Sequence, residues 1–172
     1  MPNWCNNSLT ISGPRDTIER IVRAATGKMG ETEDGRMIGM LEYMVPVVAS
    51  DGEVTASDQT AAWGTKWDVT DAEVLEYDEL DGSTVSALLV FDTAWSPPIE
   101  CFETWFGEHP GYDCVLDYHE PGVAFVGRFT PEWGEETYEY GAATADTVRK
   151  FVPEDLVDLW DLEQCMYEME SE

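Results

Sequence analysis

The chain opens with alternating apolar and polar positions and then changes to a helical repeat. Leu9 and Ile11 alternate with polar residues, which predicts a first strand within NSLTIS. After a Gly-Pro pair, Ile18, Ile21 and Ala25 recur at helical spacing. This pattern predicts a helix with one buried stripe, ended by the glycine that follows.

The middle of the chain has a less regular pattern until residue 67. Residues 27–66 mix an apolar patch with small polar residues, and we expect an insertion that contains some helix. The segment TKWDVTDAEVLEYDEL then indicates a strand, and Asp81–Gly82 is typical of a hairpin turn. STVSALLVFDTAW follows as a nearly continuous apolar run, which predicts a central strand.

The last third of the chain predicts a second helix, two strands and a helical tail. Ser96 and Pro97 fit the N-cap and first position of a helix that buries Ile99, Phe102 and Phe106. YDCVLDYHEPG and VAFVGRFTPEW each indicate a strand. The tail VPEDLVDLWDLEQCMYEMESE predicts one acidic helix.

This order of elements predicts an α+β fold in a single domain over residues 1–172. Its core, about 1–26 and 67–130, fits a ferredoxin-like βαββαβ antiparallel sheet with both helices on one face. The insertion 27–66 interrupts this core after the first helix. An extra strand and a C-terminal extension, 131–172, with the acidic helix complete the prediction.

The charge of the chain is extreme, with 36 Asp and Glu against nine Lys and Arg and a formal net charge of −27. Direct binding of nucleic acid is therefore disfavoured, because phosphate contacts need basic residues. Charge of this size indicates a basic partner, adaptation to a high-salt cytoplasm, or a solvated acidic surface with neither role. The lack of a long apolar segment predicts a protein of the cytoplasm that does not enter membranes.

The cysteines and histidines give little support to catalysis or metal binding. The four cysteines form no Cys-x-x-Cys pair, so we expect free thiols and no zinc or iron–sulfur site. His109, Cys114 and His119 are close in sequence, but the last two are an odd number apart and face opposite sides of a regular strand. We therefore expect no enzyme activity, no cofactor and no metal.

The opening residues MPNWCNN raise the question of a catalytic N-terminus. Pro2 would need a free amino terminus to act as a base, and Cys5 would need a basic neighbour to act as a nucleophile. We instead expect Trp4 to plug one end of the core while the asparagines satisfy the backbone where the first strand begins.

Several motifs taken together resemble the Api-like proteins of phages and plasmids. They are MPNWCNN with LTISG, WGTKWDV, FDTAWSPP and YHEPGVAFVGRF, and they cover roughly residues 1–26 and 63–130. The resemblance implies a ferredoxin-like domain and an origin in a mobile element. It implies no reaction and no catalytic residues.

Two kinds of surface are candidates for binding. Aromatic side chains near strand ends, Trp63, Trp67 and Trp95, could form a groove for a small ligand or nucleotide. Packing of the insertion against the sheet is the alternative for these residues.

Acidic side chains form the other candidate surface, in two sets. The tail set would make a stripe on one face of an unbroken helix and comprises Glu154, Asp158, Asp161, Glu168 and Glu172. The second set lies in and just before a predicted strand and comprises Asp71, Glu73, Glu76, Asp78 and Glu79.

The sequence thus predicts a non-enzymatic accessory protein of a phage or plasmid. It would bind a basic surface on a host nucleic-acid-handling protein, such as a restriction or CRISPR effector, and inhibit it by mimicking DNA. The alternative is a small-ligand or nucleotide-binding module that uses the tryptophan region, with acidity that reflects adaptation to high salt.

Overall fold

A computed structural model describes all residues 1–172. Its centre is one antiparallel sheet of six strands in the order β2-β3-β1-β4-β5-β6. The strands are β1 (Trp4–Pro14), β2 (Glu73–Glu79), β3 (Thr84–Ala94), β4 (Asp113–Glu120), β5 (Phe125–Thr130) and β6 (Gly134–Glu139). The sequence predicts five strands, and β6 is the one it misses.

Six short α-helices accompany the sheet. They are α1 (Arg15–Ala25), α2 (Met40–Met44), α3 (Ala56–Trp63), α4 (Ile99–Glu108), α5 (Glu154–Leu159) and α6 (Leu162–Glu170), with a 3-10 turn at Val148–Lys150. Both α2 and α3 lie in the predicted insertion. None of the helices has the length and apolar character needed to cross a membrane.

The larger core lies between one face of the sheet and the first four helices. Along β1, every second residue is buried, because Leu9 and Ile11 point towards this core. Ile18 and Ile21 of α1 and Phe102 of α4 pack in the same cluster. The period-2 and helical patterns of the sequence are therefore confirmed for β1 and α1.

The C-terminal extension covers part of the opposite face, whereas α1 and α4, the two helices predicted to share one face, both pack in the larger core. Val126 of β5 faces away from the larger core and packs with Val152, Leu156 and Leu162 in a second cluster. The sequence could not show this, because the buried residues of α5 and α6 form the same apolar pattern whichever face of the sheet they cover. The second layer contacts β4 through His119, β5 through Val126 and β6 through Tyr138.

The predicted acidic tail helix is broken in two. Asp161 has a left-handed backbone, with φ 48° and ψ 45°, and separates α5 from α6. Leu156 and Leu162 are both buried in the second cluster. On a straight helix they would lie about 120° apart, so the break turns both towards the sheet. The prediction of one unbroken helix is wrong for this reason.

Two local predictions have different outcomes. The hairpin between β2 and β3 is confirmed, and the Asp81 carboxylate accepts hydrogen bonds from the backbone of Ser83 and Thr84 in its turn. The predicted cap of α4 is wrong. That helix begins at Ile99 after Pro98, while the Ser96 hydroxyl donates to the carbonyl of Gly64 instead.

Candidate partner-binding site

Three half-exposed tryptophans form a row at one end of the sheet. The ring centroids of Trp4 and Trp67 are 6.0 Å apart, and those of Trp67 and Trp95 are 6.1 Å apart. The exposed fraction of the surface of each tryptophan is between 42% and 46%. The Lys66 ammonium lies 5.0 Å from the centroid of the Trp67 ring and 5.5 Å from that of Trp95. We call Trp4, Trp67 and Trp95 the tryptophan row.

Three separate segments are tied together to build this row. Trp4 begins β1, Trp67 lies between α3 and β2, and Trp95 follows β3. The hydroxyl of buried Thr65 donates to the carbonyl of Ala94 at 2.9 Å, which joins the second segment to the third. The backbone N–H of Trp95 donates to the carbonyl of Asn3 and joins the third to the first.

Trp95 has a strained backbone. Its φ is 63°, and the N–H of Ser96 donates to the carbonyl of Ala94 across it at 2.8 Å. A positive φ with this i to i+2 bond defines a γ-turn of the strained kind. Such conformations cost about 1–3 kcal/mol and concentrate at functional sites.

The strain predicts a difference between two variants that both remove the indole ring. Trp95→Gly is expected to be more stable than Trp95→Ala by about 1 kcal/mol, because only glycine adopts a positive φ without a steric penalty. Urea denaturation of the two variants measures this difference. Equal stability would show that the backbone at residue 95 relaxes once the ring is gone.

A small pocket adjoins the row. It has a volume of about 210 Å³ and is lined by Trp4 and Trp67 together with the side chains or backbone of Asp68, Thr70, Asp71, Asp92, Thr93 and Ala94. The Asp68 carboxylate is engaged, since it accepts hydrogen bonds from the backbone N–H groups of Gly39 and Leu41. The carboxylates that can meet a ligand are therefore Asp71 and Asp92, both exposed residues.

The second acidic set lies along the edge of the sheet. All seven residues of β2 are exposed, and β2 has a neighbour on one side only. Glu73, Glu76 and Asp78 pair with Val90, Leu88 and Ser86 of β3. Paired residues share a face, so these three carboxylates lie on the face opposite α1.

A β-bulge brings these carboxylates together. Glu73 and Glu76 are an odd number of residues apart and would face opposite ways on a regular strand. The register shifts between Val74 and Glu76, which leaves Leu75 unpaired and returns Glu76 to the face of Glu73. Glu79 is on the other face, where its carboxylate forms an ion pair with the Arg15 guanidinium at an N–O distance of 2.9 Å.

We call Asp71, Glu73, Glu76 and Asp78 the acidic edge. None of these four carboxylates lies within 4.0 Å of a cationic side chain. Their charge is therefore uncompensated within the chain. At the surface such charges attract cations over about one Debye length, roughly 8–10 Å at moderate salt.

An open groove runs across the sheet from the acidic edge. It has a volume of about 530 Å³, and its apolar lining includes Leu75, Leu88, Val90, Leu159 and Trp160. Asp71 and Asp92 line both this sheet groove and the smaller pocket, so the two depressions adjoin each other. The row, the pocket, the groove and the acidic edge form one surface.

The tail set of acids does not form the predicted stripe. The Arg149 guanidinium lies 3.6 Å from the carboxylate of Glu154, 2.7 Å from that of Asp158 and 2.7 Å from that of Glu163. These contacts neutralise part of the tail and join its 3-10 turn to α5 and α6. Asp161 is at the helix break, and Glu168 and Glu172 lie beyond it as exposed residues.

Two tryptophans exchange the places expected from the sequence. Trp63 is completely buried in the larger core, and its indole N–H donates to the carbonyl of Val45 at 2.9 Å. Trp4, expected to plug the core, is half exposed in the row. The exposure of Trp4 could have been inferred from the sequence, because Trp4 is out of phase with Leu9 and Ile11 on the alternating strand β1 and so points to the other face.

The remaining candidates for chemistry are dispersed. Cys5 is completely buried, and burial raises the pKa of its thiol to about 12, so the thiol stays protonated. Cys114 faces the larger core while His119 faces the C-terminal layer, as their spacing predicts. His109 stacks on Trp105 with ring centroids 4.1 Å apart.

Comparisons with protein-family models, curated proteins and solved structures gave no match for this chain.

Proposed function

We propose that this chain is a non-enzymatic binding protein for the basic surface of a nucleic-acid-handling protein. The observation that carries the proposal is the acidic edge, four exposed carboxylates without an ion pair beside an exposed aromatic row. Exposed carboxylates on a rigid strand attract Lys and Arg at long range and fix the orientation of the encounter. Aromatic rings supply buried contact area at the same place.

The spacing of the charges decides which form of DNA mimicry is compatible with this surface. From Glu73 to Asp78 the strand rises about 17 Å. A DNA duplex carries about one charge per 1.7 Å, or about ten over that length, against three carboxylates on this face of β2. We therefore propose that the edge occupies part of a nucleic-acid-binding surface and blocks it, without reproducing a whole duplex.

The biological setting of the proposal comes from the motif resemblance. The resemblance to the Api-like proteins supports an accessory protein of a phage or plasmid. The choice of target, a nucleic-acid-handling protein of the host cytoplasm such as a restriction or CRISPR effector, rests on the negative charge of the chain. The strand order β2-β3-β1-β4, with α1 after β1 and α4 after β3, supports a ferredoxin-like core extended by β5 and β6.

The experiment is capture from a bacterial lysate on the immobilised chain, followed by elution with duplex DNA. We expect nucleic-acid-binding proteins that elute with moderate salt and are also displaced by DNA, because both ligands need the same basic surface. Captured proteins that DNA leaves in place would contradict the proposal.

A control separates this proposal from adaptation to high salt. Under the proposal the chain stays folded at low ionic strength and binds its partner most tightly there. A chain adapted to high salt unfolds when salt is removed, because its carboxylates then repel one another without screening. Circular dichroism across a salt series distinguishes the two.

A further inference from the structure

We propose that the pocket beside Trp4 and Trp67 is a guanidinium site that receives an arginine side chain of the partner. The source of this arginine rests on the proposed function above. The site itself is a property of the chain alone and can be tested without the partner.

The aromatic walls of the pocket suit a planar cation. Lys66 already places its ammonium over the Trp67 and Trp95 rings, which shows that these ring faces hold a cation. Its ammonium is within contact range of those two rings only, so the Trp4 side of the row has no such cation. An arginine guanidinium stacks on an indole face more closely than a hydrated ammonium does.

The carboxylates of the pocket supply the counter-charge. Asp71 has no cationic side chain within 4.0 Å. The Asp92 carboxylate accepts a hydrogen bond from the side-chain amide of Asn6 through one oxygen, which leaves its other oxygen for a ligand. Because a guanidinium donates in a fork, it can bond to a carboxylate while its plane stacks on an indole.

The size of the pocket favours a side-chain head group. Its volume of about 210 Å³ is below the range of about 300–1,000 Å³ that is usual for small-molecule sites. The adjoining sheet groove, of about 530 Å³, can hold the backbone around the inserted arginine. The two volumes are therefore compatible with an arginine head group in the pocket and its polypeptide chain in the groove.

Trp95 does not line the pocket, but its ring continues the row beyond Trp67. A tryptophan at positive φ persists only where the surrounding structure holds it, and here the hydrogen bonds across residues 93–96 do so. That turn presents the ring at the end of the row.

The test is NMR titration of the tryptophan indole N–H signals with N-acetyl-arginine amide. We expect the signals of Trp4 and Trp67 to shift, while that of Trp133, exposed in the turn between β5 and β6, stays in place. N-acetyl-citrulline amide, which has the same shape without the charge, is expected to cause no shift.

Matched variants test the role of the carboxylate. Asp71→Asn is expected to weaken binding of the arginine probe about tenfold, as for loss of a hydrogen bond to a charged group. Glu103→Gln, at an exposed residue of α4 outside the acidic edge and the pocket, is expected to leave binding unchanged. Equal shifts with citrulline, no shift of the row, or tighter binding of N-acetyl-lysine amide would overturn the assignment.

These outcomes are distinct from failure of the proposed function. Binding of the arginine probe with no capture of a nucleic-acid-binding protein would retain the guanidinium site and reject the proposed partner. Capture of such a protein without binding of the probe would retain the partner and reject the site.

Discussion

Lysine in place of Glu73, Glu76 and Asp78 is expected to weaken binding of the captured partner by at least about a hundredfold. Each close charge pair at an interface contributes about 1.5 kcal/mol or more, and reversal replaces attraction with repulsion. The three residues are exposed on the edge strand and make no ion pair, so the variant is expected to stay folded. Calorimetric titration with the purified partner measures the loss.

The control changes net charge by the same amount elsewhere. Glu132, Glu168 and Glu172 are exposed residues outside the acidic edge. Their replacement by lysine is expected to change the affinity by less than about threefold, through the general field alone. If both triple variants lose binding equally, net charge and not the acidic edge determines the affinity.

Charge reversal of Glu154, Asp158 and Asp161, all in the tail set, would not test a partner-binding surface in this fold. Two of these carboxylates contact Arg149, and the third occupies the helix break. Lysines at these positions would repel Arg149 and loosen the C-terminal layer. Loss of binding in that variant would therefore not identify a partner surface.

Trp63→Ala is expected to lower the free energy of unfolding by about 3–5 kcal/mol, as for other large-to-small changes in a core. The Trp63 side chain is completely buried, and its indole N–H satisfies the carbonyl of Val45. The variant loses the packing and also leaves that carbonyl without its partner. Urea denaturation monitored by circular dichroism measures the change.

Trp67→Ala is the matched comparison for this prediction. The residue is 42% exposed, and we expect its replacement to lower the free energy of unfolding by about 1 kcal/mol or less. It is expected to remove the arginine-probe response, which Trp63→Ala leaves intact where the protein is folded. A larger loss of stability in Trp67→Ala than in Trp63→Ala would contradict the assignment of Trp63 to the core.

The parts of the fold that the sequence predicts are those in which burial repeats regularly. In β1 and α1 the apolar residues sit at spacings that match one buried face, and the structure has these elements where the pattern indicates them. The β2–β3 hairpin is predictable because the Asp81 side chain forms the turn locally. In contrast, β6 has the sequence GEETYE at an exposed sheet edge and gives no apolar alternation.

The candidate site was only partly predictable, because its arrangement depends on tertiary contacts. The sequence indicates acids around β2 and tryptophans near strand ends. It does not indicate the bulge at Leu75 that aligns Glu73 with Glu76. It also does not indicate which tryptophans are buried, since this depends on how the insertion that ends in α3 packs on α4.

The measurement that tests the central claim most directly is the salt dependence of partner affinity for two proteins. One is the wild type, and the other carries Glu73→Gln, Glu76→Gln and Asp78→Asn, which remove the charges and keep the shapes. The account predicts that wild-type affinity falls steeply with salt, and that the neutral variant binds more weakly with a clearly shallower dependence. The same steep dependence in both proteins would contradict the claim that the acidic edge contacts the partner.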